Sequence, residues 1–184
     1  MDIQFAILGL LNWQPLSGYD LKKIIAESEL FYWSASNNQI YNSLVALHRQ
    51  GLVSQDIQYQ ENLPAKKIYT ITDAGRAELR RGLLANPELP EFRNPFLIQL
   101  AWADALHGDE LDAFLARYAE EINIQLKMRQ AQAARPSGAP NRTPRERFIW
   151  ERIEEHLQSM YKNELDWVDG LRRDLQNRST SEKE

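Results

Sequence analysis

The chain has 184 residues and a formal charge of −4, from 22 Lys+Arg against 26 Asp+Glu; 43% of its residues are hydrophobic and 26% charged. These fractions are ordinary for a soluble globular protein and argue against wholesale disorder. The absence of cysteine removes disulfides, thiol redox sensing, thiolate nucleophiles and cysteine-ligated zinc together.

The longest apolar run, Phe5 to Leu11, is far too short to span a bilayer and has no basic residue before it. Neither a membrane span nor a cleaved signal is expected, and the expected compartment is the cytoplasm. The eight glycines are never closer than seven residues, so no dinucleotide fingerprint or phosphate loop can be written. His48, His107 and His156 are scattered, with no H-E-x-x-H pair and no G-x-S-x-G elbow. No metal site, cofactor or catalytic constellation is expected, and the chain does not read as an enzyme. Residues 1–85 carry 8 Lys+Arg and 8 Asp+Glu, leaving 14 against 18 for residues 86–184. The overall balance counts mildly against nucleic acid, although local clustering can still build a phosphate-binding face.

In chain order, Ile3 to Trp13 reads as a buried first helix that stops before Pro15. Ser17 with Asp20 three residues later opens a second helix to about Ala26, with Leu21, Ile24 and Ile25 inward. Ser36 and Gln39 form a capping box for a third helix over about 36–50, in which Ile40, Leu44 and Leu47 recur at helical spacing and Gly51-Leu52 makes the stop. Period-two patterning follows: Val53, Ile57 and Tyr59, a break over Glu61–Ala65, then Tyr69 and Ile71 on one side of a second strand. Thr72-Asp73 caps a fourth helix starting near Ala74. Three helices, a hairpin and a helix describe a winged helix-turn-helix, whose third helix enters the major groove.

The outer face of that third helix fits this role. Asn38, Gln39, Asn42, Ser43 and Arg49 are expected to face outward or flank, and no acidic residue occurs from Phe31 to Val53. Asn and Gln can pair with adenine N6 and N7, and Ser with any base edge. Lys66 and Lys67 are placed to meet phosphates from the wing. An ordinary solvated helix face with edge-strand lysines remains the plain alternative.

Several segments together resemble PadR-type transcriptional regulators: Phe5–Leu11, Ser17-Gly18-Tyr19-Asp20, Gln39-Ile40-Tyr41, Gly51-Leu52-Val53 and Lys67–Arg76. They occur in order over roughly residues 3–84. The Trp33…Gln39-Ile40-Tyr41 segment is most similar to the phenolic-acid-responsive branch. Many relatives have proline after the tyrosine of the recognition helix where this chain has Asn42, which leaves base preference open. The resemblance implies that Tyr41 hydrogen-bonds a phosphate through its hydroxyl, with Ser36, Lys66 and Lys67 assisting.

Residues 86–94, with Pro87 and Pro90, read as a linker. Asn94-Pro95 starts a helix to about His107, and Asp109 starts a longer one with Leu111, Leu115, Tyr118, Ile122 and Leu126 on one stripe. A breaker-rich loop over 135–141 is expected to be mobile. Thr143-Pro144-Arg145-Glu146 caps a final helix over about 144–176, and 177–184 is expected to be a disordered tail.

The last helix carries more apolar surface than its own chain can cover, so Ile153, Leu157, Met160, Trp167, Val168 and Leu171 are assigned to a homodimer contact. The resemblance agrees, because longer family members dimerise through a helical C-terminal domain. A two-fold dimer would set two recognition helices on half-sites of a near-palindromic operator in double-stranded DNA.

The expected fold is therefore mainly α, an N-terminal winged helix-turn-helix (1–85) with a two-stranded wing and a C-terminal all-helical dimerisation and effector domain (95–176). The expected function is a repressor released by a small aromatic effector. Following the resemblance, this would be an aromatic acid held between the domains, with Tyr19, Arg93, Trp102 and Trp150 as candidate contacts. A drug-responsive repressor and a winged-helix module that binds protein instead of DNA are the alternatives.

Overall fold

The computed structural model describes residues 3–27, 37–60, 63–90, 94–134 and 143–181. The chain divides into two compact units, Met1–Pro90 and Glu91–Glu184.

In the first unit, α1 (Ile3–Trp13) buries Ala6, Ile7, Leu8, Leu10 and Leu11. Its apolar side packs with Leu21 and Ile25 of α2 (Gly18–Glu27) and with Ile40, Leu44 and Leu47 of α3 (Asn37–Arg49). Each fully buried Leu or Ile contributes about 1.5–3 kcal/mol relative to exposure, which makes this three-helix cluster the foundation of the unit.

Local chemistry sets the helix ends. The Ser17 hydroxyl donates to Asp20 Oδ2 at 2.7 Å while accepting from the Asp20 amide at 3.2 Å, so that the two side chains cap the start of α2 reciprocally. At the end of α3 the Leu52 amide bonds the Leu47 carbonyl and the Gly51 amide bonds the His48 carbonyl, both at 3.0 Å. That pairing needs a left-handed residue, which Gly51 supplies at φ 72°.

The sheet has three strands rather than the two expected. Strands β2 (Val53–Gln60) and β3 (Leu63–Ile71) form the antiparallel wing, with Val53 opposite Ile71 and Ile57 opposite Lys67. A two-residue strand β1 (Leu16–Ser17) adds to the other side of β3, with Leu16 opposite Tyr69. The second strand also begins earlier than its sequence suggests, at Leu63, so that it contains Pro64. The register shifts between Gln58 and Gln60, opposite that end. A proline cannot donate to a ladder, and it is tolerated at such an irregularity, beyond the reach of β1.

Thr72 then joins three segments. Its hydroxyl donates to the Gly51 carbonyl at 2.7 Å and accepts from the Gly75 amide at 3.1 Å, capping α4 (Asp73–Leu83) against the end of α3.

The second unit is all helical. Asn94 caps α5 (Pro95–Leu100), accepting from the Phe96 amide at 3.0 Å. This helix is six residues long, not the thirteen expected; a short 3-10 turn at Ala103–Ala105 follows it. Helix α6 (Gly108–Ala133) starts with the His107 amide bonded to Glu110 Oε2 at 2.9 Å. Helix α7 (Pro144–Ser181) starts with the Thr143 hydroxyl accepting from the Glu146 amide at 3.1 Å. It runs through Ser181, so the helix continues past 176, into the segment expected as a tail. The expected loop at 135–141 lies outside the described residues.

Helices α6 and α7 pack antiparallel, and three polar rungs set their register. Arg172 meets Asp112 through two bonds of 2.9 and 3.0 Å. The Tyr118 hydroxyl donates to Glu164 at 2.8 Å. Arg129, 94% buried by its 6% exposure, donates to Glu154 at 3.1 Å, and Gln158 donates to the same carboxylate. Between the rungs the core consists of Leu115, Val168 and Phe96, whose ring stacks on Tyr118 with centroids 3.4 Å apart and meets Trp167 edge-on at 6.4 Å. Val168 is thus fully buried within its own protomer. This corrects its assignment to a subunit contact: its place on the α7 stripe is the one that faces α6.

Candidate nucleic-acid interface

The recognition surface begins with the orientation of α3. Ile40, Leu44 and Leu47 lie in the core, which turns Asn38, Gln39, Tyr41, Asn42 and Arg49 to the exterior. Ser43 does not join them. It is 7% exposed, because three residues beyond Ile40 and one before Leu44 is an inward position on a 3.6-residue repeat. This corrects its assignment as a base-reading residue. Val45, which the polar pattern had passed over, is 54% exposed and does face outward. Ser36 lies outside the described residues.

Tyr41 is 46% exposed, and its ring packs on Gly18, the first residue of α2. A Cβ at Gly18 would stand 2.5 Å from Tyr41 Cε1. The ring is therefore seated on backbone at the α2 N-terminus. Burial raises the pKa of the neighbouring Tyr69 above the ordinary phenol value, and the proximity of Tyr41 adds to the shift.

The two wing lysines differ. Lys66 Nζ lies 3.2 Å from Asp20 Oδ2, tying the wing to the start of α2. Partial burial works to raise the Asp20 pKa, but hydrogen bonds from Ser17 and Lys66 outweigh it and hold the carboxyl below its ordinary value. Lys67, opposite Ile57, is exposed on the other face of β3. Tyr59 extends the Lys67 face toward the wing tip and is almost wholly exposed. Together the outward face of α3 offers amide and guanidinium donors with no carboxylate on the helix, and the adjoining strand offers ammonium groups. Such a surface suits a polyanion that presents hydrogen-bonding edges between its phosphates.

The other candidate residues are distributed over both units. Tyr19 is exposed on α2 and Trp102 is exposed just after α5, while Trp150 is half-buried near the start of α7. Trp150 stands about 25 Å along α7 from Trp167 at ~1.5 Å per residue, whereas α5 is anchored against Trp167 through Phe96. Arg93 lies outside the described residues.

On α7, Met160 and Trp167 are exposed and Ile153, Leu157 and Leu171 half-buried. Ile149, not singled out from the sequence, continues the line of Ile153, Met160 and Trp167. Among the described residues no cluster of side chains could hold a metal ion, and no helix is long and apolar enough to cross a membrane.

Comparison with known proteins agrees with both units. A family model described as "Transcriptional regulator PadR-like family" matches residues 7–81, and one described as "Virulence activator alpha C-term" matches residues 92–176. The chain is 31% identical over 138 residues to the negative transcriptional regulator PadR of Bacillus subtilis (strain 168), covering 74% of this chain and 72% of that protein. The crystal structure of Bacillus subtilis PadR in complex with operator DNA is similar with a TM-score of 0.81 at 26% identity, over 94% of this chain and 98% of that one. The structure of the same protein in complex with p-coumaric acid is similar in fold, with a TM-score of 0.76 at 24% identity over 95% of each chain.

Proposed function

The chain belongs to the PadR-like family of transcriptional regulators, and from that premise we propose that it is a cytoplasmic homodimeric repressor that leaves its operator when a small aromatic acid binds. The observation that carries the DNA-binding part is the outward face of α3. Asn38, Asn42 and Arg49 lie on it without a carboxylate, next to Tyr41 seated on Gly18. Asn38, Gln39 and Asn42 address base edges; Tyr41, Lys66 and Lys67 meet phosphates, with Ser36 as a further contact. A negative regulator from the same family has been solved with operator DNA, which supports repression by operator occupancy.

Dimerisation falls to the line of exposed Ile149, Met160 and Trp167 and half-buried Ile153, with Leu157 and Leu171 beside it. An uncovered apolar line of this length on a 38-residue helix favours a second copy of the chain as its cover. An aromatic-acid effector is supported by the relative solved with p-coumaric acid, with the exposed aromatic residues Tyr19 and Trp102, and Trp150 and Arg93, as candidate contacts. A ligand shifts such an equilibrium only by binding one conformation better than the other.

A mobility-shift assay on the DNA upstream of the gene, with and without p-coumaric acid, tests the reading. Retention of the duplex and its release by the acid are expected. Failure to retain any duplex overturns the DNA-binding assignment. Retention that responds to a hydrophobic drug and not to the acid reassigns the effector.

A further inference from the structure

Positions 38, 42, 45 and 49 of α3 are spaced by four, three and four residues, which on an α-helix places them along one line. The line contains Asn38, Asn42, Val45 and Arg49, all exposed. Opposite it lie Ile40, Ser43, Leu44 and Leu47, all buried. Val45 is therefore the one apolar side chain at the centre of the outermost edge of the helix, and it has no role in the core.

Its surroundings select what it can meet. The helix carries no carboxylate, and its last turn holds His48 and Arg49, so the line complements a polyanion more closely than an apolar protein groove. On the major-groove edges of duplex DNA the one apolar group is the 5-methyl of thymine, and small apolar side chains are the groups that read it. Valine in a helix has one strongly preferred rotamer, so its methyls are held in place before any contact forms. The rise from Asn42 to Val45 is about 4.5 Å, between one and two of the ~3.4 Å steps between stacked bases. The two residues can thus address neighbouring base pairs.

We propose that Val45 is a specificity-determining residue that reads the 5-methyl of one thymine in each half-site, beside the base pair addressed by Asn42. This rests on the operator-binding reading above.

The test uses the full-length protein to select duplexes from a random pool. Every thymine of the selected site is then replaced in turn by uracil, which lacks only the methyl. Uracil at one position per half-site is expected to weaken the wild-type protein about fourfold, the equivalent of one buried methyl-sized group. At that same position Val45→Ser, which replaces the methyls with a polar hydroxyl, should bind thymine and uracil duplexes equally, with a nearly unchanged melting temperature because position 45 is exposed. A selected duplex indifferent to uracil everywhere, or a uracil penalty that Val45→Ser retains, overturns the assignment of Val45 alone. A pool from which no duplex is retained overturns the operator reading and this inference with it.

Discussion

Tyr41 of α3 rests on Gly18 of α2 so closely that a methyl group at position 18 would meet its ring, 2.5 Å from Cε1. The glycine is the seat that sets where the tyrosine hydroxyl stands. Tyr41→Phe keeps the ring and removes the donor, and operator affinity should fall about tenfold, the worth of one hydrogen bond to a charged acceptor. Gly18→Ala keeps the hydroxyl but displaces the ring, and a comparable loss is expected. Fluorescence anisotropy with labelled operator gives the affinities, and circular dichroism should show both variants folded.

The lysines of β3 should separate in their salt dependence. Lys67 has its ammonium exposed and is expected to contribute about one unit to the slope of log affinity against log salt. Lys66 is already neutralised by Asp20 at 3.2 Å, so that Lys66→Ala should lower the slope by less than Lys67→Ala. Binding titrations over a range of salt concentrations decide this, and equal slopes for the two variants would contradict the ion pair's role.

Tyr118 gives a pH signature to the second unit. Burial raises its pKa to about 12, aided by the bond it donates to Glu164 and the nearby carboxylate charge. A phenol whose folded pKa is raised stabilises the fold in its neutral form. Its contribution is complete below about pH 10, the unfolded value, and is lost as pH climbs toward 12. Thermal melts from pH 8 to 12 should therefore fall more steeply above pH 10 for the wild type than for Tyr118→Phe.

Phe96 anchors α5 through its stack on Tyr118 and Phe114 and its edge contact with Trp167. Phe96→Ala should destabilise the second unit by about 3–5 kcal/mol, measured by chemical denaturation. Phe96→Leu, which conserves more of the volume, should cost less.

The elements legible in the sequence were those fixed by short-range chemistry. Ser17 with Asp20, Gly51 after Arg49, Thr72 before Asp73, Asn94-Pro95 and Thr143 with Glu146 each carry a cap within a few residues of the helix end, and each cap forms. The strand at Leu16–Ser17 was not legible: two residues show no alternation, and their partners lie some fifty positions away. The hydroxyl of Ser43 points to an outward place, but its helical phase, three residues after Ile40, puts it inside. Val45 is the converse case, an apolar residue that its phase turns outward. On α7 an apolar stripe says only that something covers it, and Val168 belongs to the part covered by α6 while Met160 does not. The helix expected from 95 to 107 breaks after Leu100, with no proline or glycine to announce it.

The three rungs between α6 and α7 have a mechanical meaning. Sliding one helix along the other by a single turn, about 5.4 Å, would undo Asp112–Arg172, Tyr118–Glu164 and Arg129–Glu154 in the same stroke, and the last of these would take a buried guanidinium away from its carboxylate. Small slips gain nothing until all three have been sacrificed. The α6–α7 pair therefore resists sliding, and its two helices hold one register.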